Sequence, residues 1–372
     1  MIRRLVLALL TLLLILAAGL LTALFIFRQP TPAGFEQAAA GRPVRLPQDA
    51  AAHFNVTTEW WYYTGFVNGA DGKRYGFELV FFKAFAPPAA KIMSWLPVNW
   101  ISNPVYVAHF AVSDLAAGKH AFAEQANLPQ FWSASAGEPA YAVSNGGWKA
   151  WGSGGRHHLQ ATMDDYALSL TLDAARPAAL HGPGGAGVVE MGQGGASYYY
   201  SYTDLRGAGL LTVDGVQQTV NATAWMDHQW GSWNSHEGYA GWDWFSLRLD
   251  DGNQVMLFNF RGEDGRVQPQ SSGTWIDPDG TTHHLQAGDF SVQVLEPWTS
   301  AETGAAYPVK WAITVPDFGL QATVEATFPE QEMAVKLTPL YWEGIVTVTG
   351  TANGAGFVEM TGYGSGLGHF SR

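Results

Sequence analysis

Three groups able to carry protons lie among four tryptophans in two nearby stretches of the chain. Asp227 and His228 fall in Ala222-Thr-Ala-Trp-Met-Asp-His-Gln-Trp-Gly, and Asp243 falls in Gly241-Trp-Asp-Trp-Phe-Ser-Leu. A carboxyl or an imidazole can deliver or remove a proton. The indoles of Trp225, Trp230, Trp242 and Trp244 can exclude water, hold an apolar ligand and stabilise a cation over their faces. The same density also fits a tryptophan-rich β-core around a satisfied polar cluster.

Further acids sit beside aromatic residues. Glu59 precedes Trp60-Trp61, and Glu343 follows Tyr341-Trp342. A carboxyl against indole rings is where a raised pKa is expected, although either residue could instead tie a strand end to an Arg or Lys. Along a strand Tyr198, Tyr199 and Tyr200 alternate, so Tyr199 faces away from its neighbours, and one of the two faces is expected to line a cavity or an interface. Trp61, Tyr199, Tyr200, Trp230, Trp242, Trp244, Glu59 and Glu343 are therefore the candidate ligand contacts. His109, in an apolar strand, is expected in the core.

Other chemistries leave fewer traces. No Gly-x-Ser-x-Gly elbow, Walker loop or dinucleotide loop is present; Tyr363-Gly-Ser-Gly lacks the first glycine. The pairs His157-His158 and His283-His284 would point to opposite faces of a strand, so neither is expected to ligate one metal ion. No cofactor and no metal are expected. The chain has no Cys, which removes disulfides, thiolate metal sites and a cysteine nucleophile. A net charge of −12 without a basic run makes nucleic acid a poor partner.

The elements that must position these residues are strands. Short segments rich in Tyr, Trp, Phe, Val and Thr alternate with Asp-Gly turns at 71–72, 214–215, 251–252, 264–265 and 279–280. Helix should be scarce in the body. Leu159-Gln-Ala-Thr-Met-Asp-Asp-Tyr-Ala-Leu aligns without gaps on Trp311-Ala-Ile-Thr-Val-Pro-Asp-Phe-Gly-Leu, placing Asp165 on Asp317. Trp61-Tyr-Tyr resembles Trp242-Asp-Trp upstream, and Trp225-Met-Asp-His resembles Phe357-Val-Glu-Met, matching Asp227 with Glu359. A duplicated antiparallel unit best removes its edges by closing into a barrel, with a sandwich as the alternative. The N-terminus stands apart: after Arg3-Arg4 the run Leu5 to Phe27 carries no charge and is long enough to cross a bilayer. It reads as an uncleaved anchor that places the body outside the cytoplasm, in a periplasm, or as a cleaved signal of a secreted protein. The expected organisation is residues 1–28 anchor or signal, 29–50 an extended linker, 51–235 a first barrel and 236–372 a second.

Glu59-Trp-Trp-Tyr-Tyr-Thr-Gly, Tyr75-Gly-Phe-Glu-Leu-Val-Phe-Phe-Lys, Ala108-His-Phe-Ala-Val-Ser-Asp, Ser197-Tyr-Tyr-Tyr-Ser, Ala224-Trp-Met-Asp-His-Gln-Trp-Gly, Gly241-Trp-Asp-Trp-Phe-Ser-Leu and Tyr341-Trp-Glu-Gly occur in this order. Over residues 50 to 365 this set resembles the AttH-like family, which includes the carotenoid 1,2-hydratases. The resemblance implies an all-β fold of two tandem lipocalin-like antiparallel β-barrels after the N-terminal helix. It implies action on a lipophilic, isoprenoid-like small molecule, most concretely the acid–base hydration of a C=C bond. A carrier without catalysis and a pericyclase are the other readings. The resemblance makes His228, Trp230 and Asp243 the leading site residues, with Asp227 next.

Overall fold

Beyond residue 57 the aromatic and β-branched segments fold almost entirely into antiparallel strands. The computed structural model describes residues 2–26, 34–70, 72–85, 91–93, 96–97, 104–127, 132–134, 140–192, 195–233, 239–336 and 338–364. The N-terminal run forms helix α1, Ile2–Ile26, with exposed leucines along its length. Among the described residues no helix is long and apolar enough to cross a membrane, so the anchor remains an expectation.

The first sheet contains β1 (Thr58–Gly69), β2 (Arg74–Ala84), β3 (Val105–Asp114), β4 (Lys119–Asn127), β5 (Ala140–Asn145), β6 (Trp148–Ser153), β7 (Arg156–Met163), β8 (Tyr166–Ala174), β9 (Gly195–Val213) and β10 (Val216–Gly231). Its order is β4-β3-β2-β1-β10-β9-β8-β7-β6-β5, with short unlabelled strands on β5 and β9. The second sheet contains β11 (Gly241–Leu249), β12 (Gln254–Arg261), β13 (Ser272–Ile276), β14 (Thr282–Gln286), β15 (Ser291–Thr299), β16 (Ala306–Val315), β17 (Leu320–Ala326), β18 (Tyr341–Gly350) and β19 (Gly354–Thr361). Its order is β14-β13-β12-β11-β19-β18-β17-β16-β15. The two orders superimpose strand for strand from β4 and β14 to β6 and β15. The duplication read from Leu159 and Trp311 falls on the matching strands β7 and β16.

Both sheets curl towards closure. The side chain of Asn127 on β4 hydrogen-bonds that of Asn145 on β5, drawing the two ends of the first sheet together. Hairpin turns carry the expected chemistry: at Asp214-Gly215, between β9 and β10, both residues take positive φ, 49° and 78°. The two-residue turn needs that conformation to match the strand twist, and Asp and Gly tolerate it best.

Side-chain alternation then divides each sheet into an inner and an outer face. Trp61, Tyr63, Phe77, Tyr200 and Trp230 fill the first interior, while Phe245, Trp311, Trp342 and Val346 fill the second. The outer faces of the central strands pack against each other, with Tyr199, Trp225, Trp244 and Phe258 in one buried cluster across the seam. Two sequence expectations change here. Residues 34–50, expected as an extended linker, lie against the first sheet: Val44 is buried and its N–H donates to Ala186 O at 2.9 Å. The alignment of Trp61 with Trp242 is one residue out of step. In the ladders Asp227 faces Tyr62 and Glu359 faces Trp244, so Tyr62 corresponds to Trp244. A slip of one residue exchanges the faces. Trp61 consequently points into a barrel and Trp242 into the seam.

Arg248 latches the seam. From β11 its guanidinium donates to Thr203 O at 2.6 Å and to Ala224 O, and it lies 3.7 Å from Asp204. Burial lowers its pKa to about 10 against the pull of Asp204, leaving it charged at neutral pH. Arg248→Met removes a charged donor from Ala224 O and from Thr203 O, the latter keeping Gln254 Nε2 at 3.0 Å, so urea unfolding should show a loss of about 1 to 3 kcal/mol. An unchanged midpoint and slope would show that the latch adds nothing.

Candidate active site

A cavity of about 520 Å³ opens between the two sheets, outside both barrel interiors. Trp60 and Tyr62 of β1, Phe82 of β2, Tyr199 of β9, Trp242 and Trp244 of β11, and Phe258 of β12 supply much of its aromatic wall. These are the outward positions of their strands, two residues apart where a strand contributes twice. His109, Asp227, Tyr341 and Glu359 place polar atoms in the lining.

Four carboxyl groups gather in this seam: Glu78 from β2, Asp227 from β10 and Glu343 from β18, all buried, and Glu359 from β19, partly buried. Their hydrogen-bond donors are neutral. Asp227 Oδ1 accepts from Tyr199 Oη at 2.8 Å, from Trp225 Nε1 at 2.9 Å and from Ser201 Oγ. Glu359 Oε1 accepts from Trp242 Nε1 at 2.7 Å, Glu343 Oε2 from Tyr62 Oη at 2.9 Å, and Glu78 Oε1 from Tyr341 Oη at 2.7 Å. Among the described residues none of the four is ion-paired. Glu78 Oε2 and Glu343 Oε1 are buried without a hydrogen-bond partner.

This environment disfavours negative charge. Burial pushes Asp227 up to about 7, against three hydrogen bonds that pull it down. Burial likewise pushes Glu359 up to about 7, with Trp242 and Tyr62 opposing and the charge of Asp227 adding to the rise. Glu78 and Glu343 are also raised, first by burial and then by neighbouring carboxylates. The duplication accounts for the pairing of Asp227 and Glu359: they occupy matching positions on β10 and β19, and each accepts an indole N–H.

A hydrogen-bonded chain leads from this cluster towards the surface. Tyr341 Oη, bonded to Glu78, lies 2.7 Å from His109 Nδ1, and His109 Nε2 lies 3.3 Å from Glu124 Oε1. Burial lowers the pKa of His109 despite Glu124. A neutral imidazole can accept a proton at one nitrogen and release one at the other.

The cleft gathers Asp227, Tyr199, Trp242 and Trp244 among the residues singled out in the sequence, with Glu343 behind Tyr62. It does not gather Asp227, His228 and Asp243. His228 follows Asp227 on a strand and therefore points the opposite way, into the first barrel. There it stacks with Trp61 at 4.6 Å, lies against Trp230, and places Nε2 3.0 Å from Glu59 Oε1 and Nδ1 3.2 Å from the Tyr200 hydroxyl. Glu59 also meets Lys83 Nζ and His53 Nδ1 at 2.9 Å each. Burial alone would raise its pKa; the Lys83 charge and the bonds from His228 and His53 outweigh that and hold it low. His53, Glu59 and His228 offer metal-ligating atoms within 4.8 Å of one another, but Lys83 already supplies the positive charge beside the carboxylate. Asp243 points into the second barrel, where Arg261 Nε and Tyr363 Oη each approach Oδ1 at 3.0 Å. Its pKa is raised by burial, with Arg261 opposing.

Sequence reasoning missed Glu78 and Tyr62, left Tyr341 as a mere neighbour of Glu343, and placed His109 in the core. It matched Glu359 with Asp227 without treating it as a site residue. That match was the available signal, because an acid repeated at equivalent places in two facing units is brought to one seam.

Two curled sheets with an aromatic, acid-bearing cleft between them define an all-β protein of tandem lipocalin-like barrels. The chain belongs to the AttH-like family, whose model matches residues 37–363. The crystal structure of a protein assigned as AttH from Nitrosomonas europaea is 29% identical, covers 88% of this chain and all of its own, and superimposes with a TM-score of 0.78. Kievitone hydratase from Nectria haematococca shares the fold at 16% identity and a TM-score of 0.67, over 90% of this chain and 97% of its own. CghA with Sch210972 shares it at 13% and 0.54, over 91% of this chain and 97% of its own. No curated protein sequence matches significantly.

The raised acids carry a pH signature. Folded Glu359 keeps its proton where the unfolded chain has lost it, so the stability linked to this proton is full below the ordinary glutamate range and is lost as pH rises through about 7. Glu359→Gln removes that loss while retaining an acceptor for Trp242. Relative to the parent, the variant should gain up to about 3 kcal/mol in chemical unfolding between about pH 5 and about pH 8.5. Parallel stability curves would show that Glu359 titrates normally.

Proposed function

We propose that the protein binds a lipophilic, isoprenoid-like molecule in the inter-sheet cleft and adds water across one of its C=C bonds by acid–base catalysis. The observation that carries this reading is the pair Asp227 and Glu359, both facing the cavity with pKa values near 7. At neutral pH such a pair readily holds one protonated and one ionised member, the acid and the base a hydration needs. The protonated carboxyl gives its proton to one alkene carbon, and the π electrons form the new C–H bond. The tertiary cation left on the other carbon faces Trp60, Trp242 and Trp244. Water adds its oxygen to that carbon and loses a proton to the ionised carboxylate. The sum is alkene plus water to alcohol, with the two carboxyls exchanged. The chain Glu78, Tyr341, His109 and Glu124 offers a route for restoring the proton. The hydratase among the proteins of similar fold supports this class of reaction. His228 and Asp243 take no step in it; each is engaged inside its own barrel.

Native mass spectrometry of protein purified from its own membranes, followed by extraction, should yield a lipophilic ligand. Incubation with the corresponding alkene in isotopically heavy water should give an alcohol carrying the solvent oxygen. Asp227→Asn and Glu359→Gln should each slow turnover by about 10² or more while binding survives. Recovery of unaltered ligand from the active parent under all conditions would make the protein a carrier instead.

We further propose that α1 holds the body at a membrane, outside the cytoplasm. Its described leucines are exposed, and such a surface favours an apolar surrounding. A C-terminal reporter should behave as periplasmic and the mature N-terminus should retain Met1 or Ile2. Soluble protein beginning after Ala33 would make the segment a cleaved signal.

A further inference from the structure

We propose that the inter-sheet cleft is a receptor for lipophilic organic cations, its preferred ligand being an alkyl-bearing tertiary or quaternary ammonium ion. This inference stands apart from hydration and requires no reaction.

The argument begins with charge. Glu78, Asp227, Glu343 and Glu359 meet in one seam, and their bonded donors are phenols, indoles and a serine hydroxyl. A buried carboxylate normally has a cationic partner, and the Glu59–Lys83 pair inside the first barrel shows this chain providing one. None of the four seam acids has one among the described residues, Arg248 being engaged by Asp204 and two carbonyls and Lys83 by Glu59. Two of their carboxyl oxygens, Glu78 Oε2 and Glu343 Oε1, lack even a hydrogen-bond donor. Both belong to acids behind the lining, bonded to the wall phenols Tyr341 and Tyr62, so the acids that a ligand meets directly are Asp227 and Glu359.

The walls narrow the chemistry of what fits. Trp60, Trp242, Trp244 and Tyr239 line the cavity, and aromatic faces attract a poorly hydrated cation. A bare metal ion would meet indole rings instead of a shell of oxygens. An anion would meet Asp227 and Glu359 in the lining, with Glu78 and Glu343 behind it. A neutral hydrocarbon suits the walls and leaves the carboxyl charge uncompensated. An ammonium ion with an apolar tail satisfies both surfaces, and about 520 Å³ accommodates a head group with part of its chain.

Such binding is coupled to protons. The carboxyls facing or adjoining the cleft are Glu78, Asp227, Glu343 and Glu359, with Glu263 at the exposed rim. His109 is held towards its neutral form by burial, and Lys83 is committed to Glu59. The phenols of Tyr62, Tyr199 and Tyr341 stay protonated, their pKa values raised first by burial and then by the neighbouring carboxylates. A cation therefore favours ionisation of Asp227 and Glu359, releasing protons and binding more tightly as pH rises.

The test uses the full chain and three octyl probes of similar shape: octyltrimethylammonium, net-neutral octyldimethylamine N-oxide and octyl sulfate. Tryptophan fluorescence and calorimetry in buffers of different ionisation enthalpy report affinity and proton release. At about pH 8 the ammonium should bind about tenfold or more tightly than the N-oxide, with octyl sulfate weakest. Its affinity should rise about tenfold from about pH 6 to about pH 8, with proton release. Asp227→Asn and Glu359→Gln should each reduce the preference for the cation while leaving N-oxide binding in place. Equal binding of ammonium and N-oxide by the unaltered protein overturns the proposal, as does a cation affinity independent of pH. Both readings use the unsubstituted chain and hold if a variant fails to fold. Because no turnover is measured, success here with no hydration activity would retain the receptor and remove the hydratase.

Discussion

The two-residue alternation of side chains along β1, β10, β11 and β19 is the constraint on which the rest of the structure depends. Each strand has an inner face that must fill its own barrel and an outer face that must meet the other sheet. Trp61 and Tyr63 are committed to the first interior, which frees Trp60 and Tyr62 for the seam. Phe245 and Leu247 fill the second interior, which frees Trp242 and Trp244. Aromatic side chains pack the interiors of both barrels. The cavity accordingly lies where two convex sheets meet and cannot mesh completely.

Duplication adds a second consequence. When two copies of one unit pack through equivalent faces, a residue at a given place in the unit arrives at the seam twice. Asp227 and Glu359 are such a pair, and their indole donors differ only in origin: Trp225 lies on the same strand as Asp227, whereas Trp242 lies on the strand beside Glu359. Desolvation in one seam and similar donors push both acids up to about 7. Two matched acids in the lining of one cavity, one from each sheet, form an arrangement that one barrel could not build alone.

Much of the architecture was legible in the residues. Asp-Gly turns between aromatic segments gave hairpins, and the Leu159 and Trp311 repeat gave two equivalent units. The AttH-like motifs identified the family. The site was less legible because closeness in sequence is misleading on a strand. Asp227 and His228 are covalent neighbours whose side chains diverge into different compartments. Asp243 lies between two cleft tryptophans, and the same alternation turns it inward to Arg261. Aligning Trp61 with Trp242 matched residue types and lost the register. The surroundings of Asp227, by contrast, come from distant strands: Tyr199 by pairing, Glu78 from two strands away in the same sheet, and Glu343 and Glu359 by the folding of one sheet against the other. No spacing in the sequence encodes that last meeting; only the outward parity of each acid hints at it.

The contrast between the two acidic clusters explains why one is structural and the other is available for chemistry. Glu59 is fully buried, and Lys83, His53 and His228 surround it with donors that stabilise its charge. Its proton is lost throughout the neutral range, and the carboxylate serves to bind β1 to β2 and to the segment preceding β1. Glu359 is partly buried at the cavity and meets an indole, a phenol and other acids. The same carboxyl group in that setting keeps its proton close to neutrality. Burial alone therefore decides neither role. The decisive variable is whether folding also delivers a compensating cation, and in the seam it delivers aromatic faces and an open cavity instead.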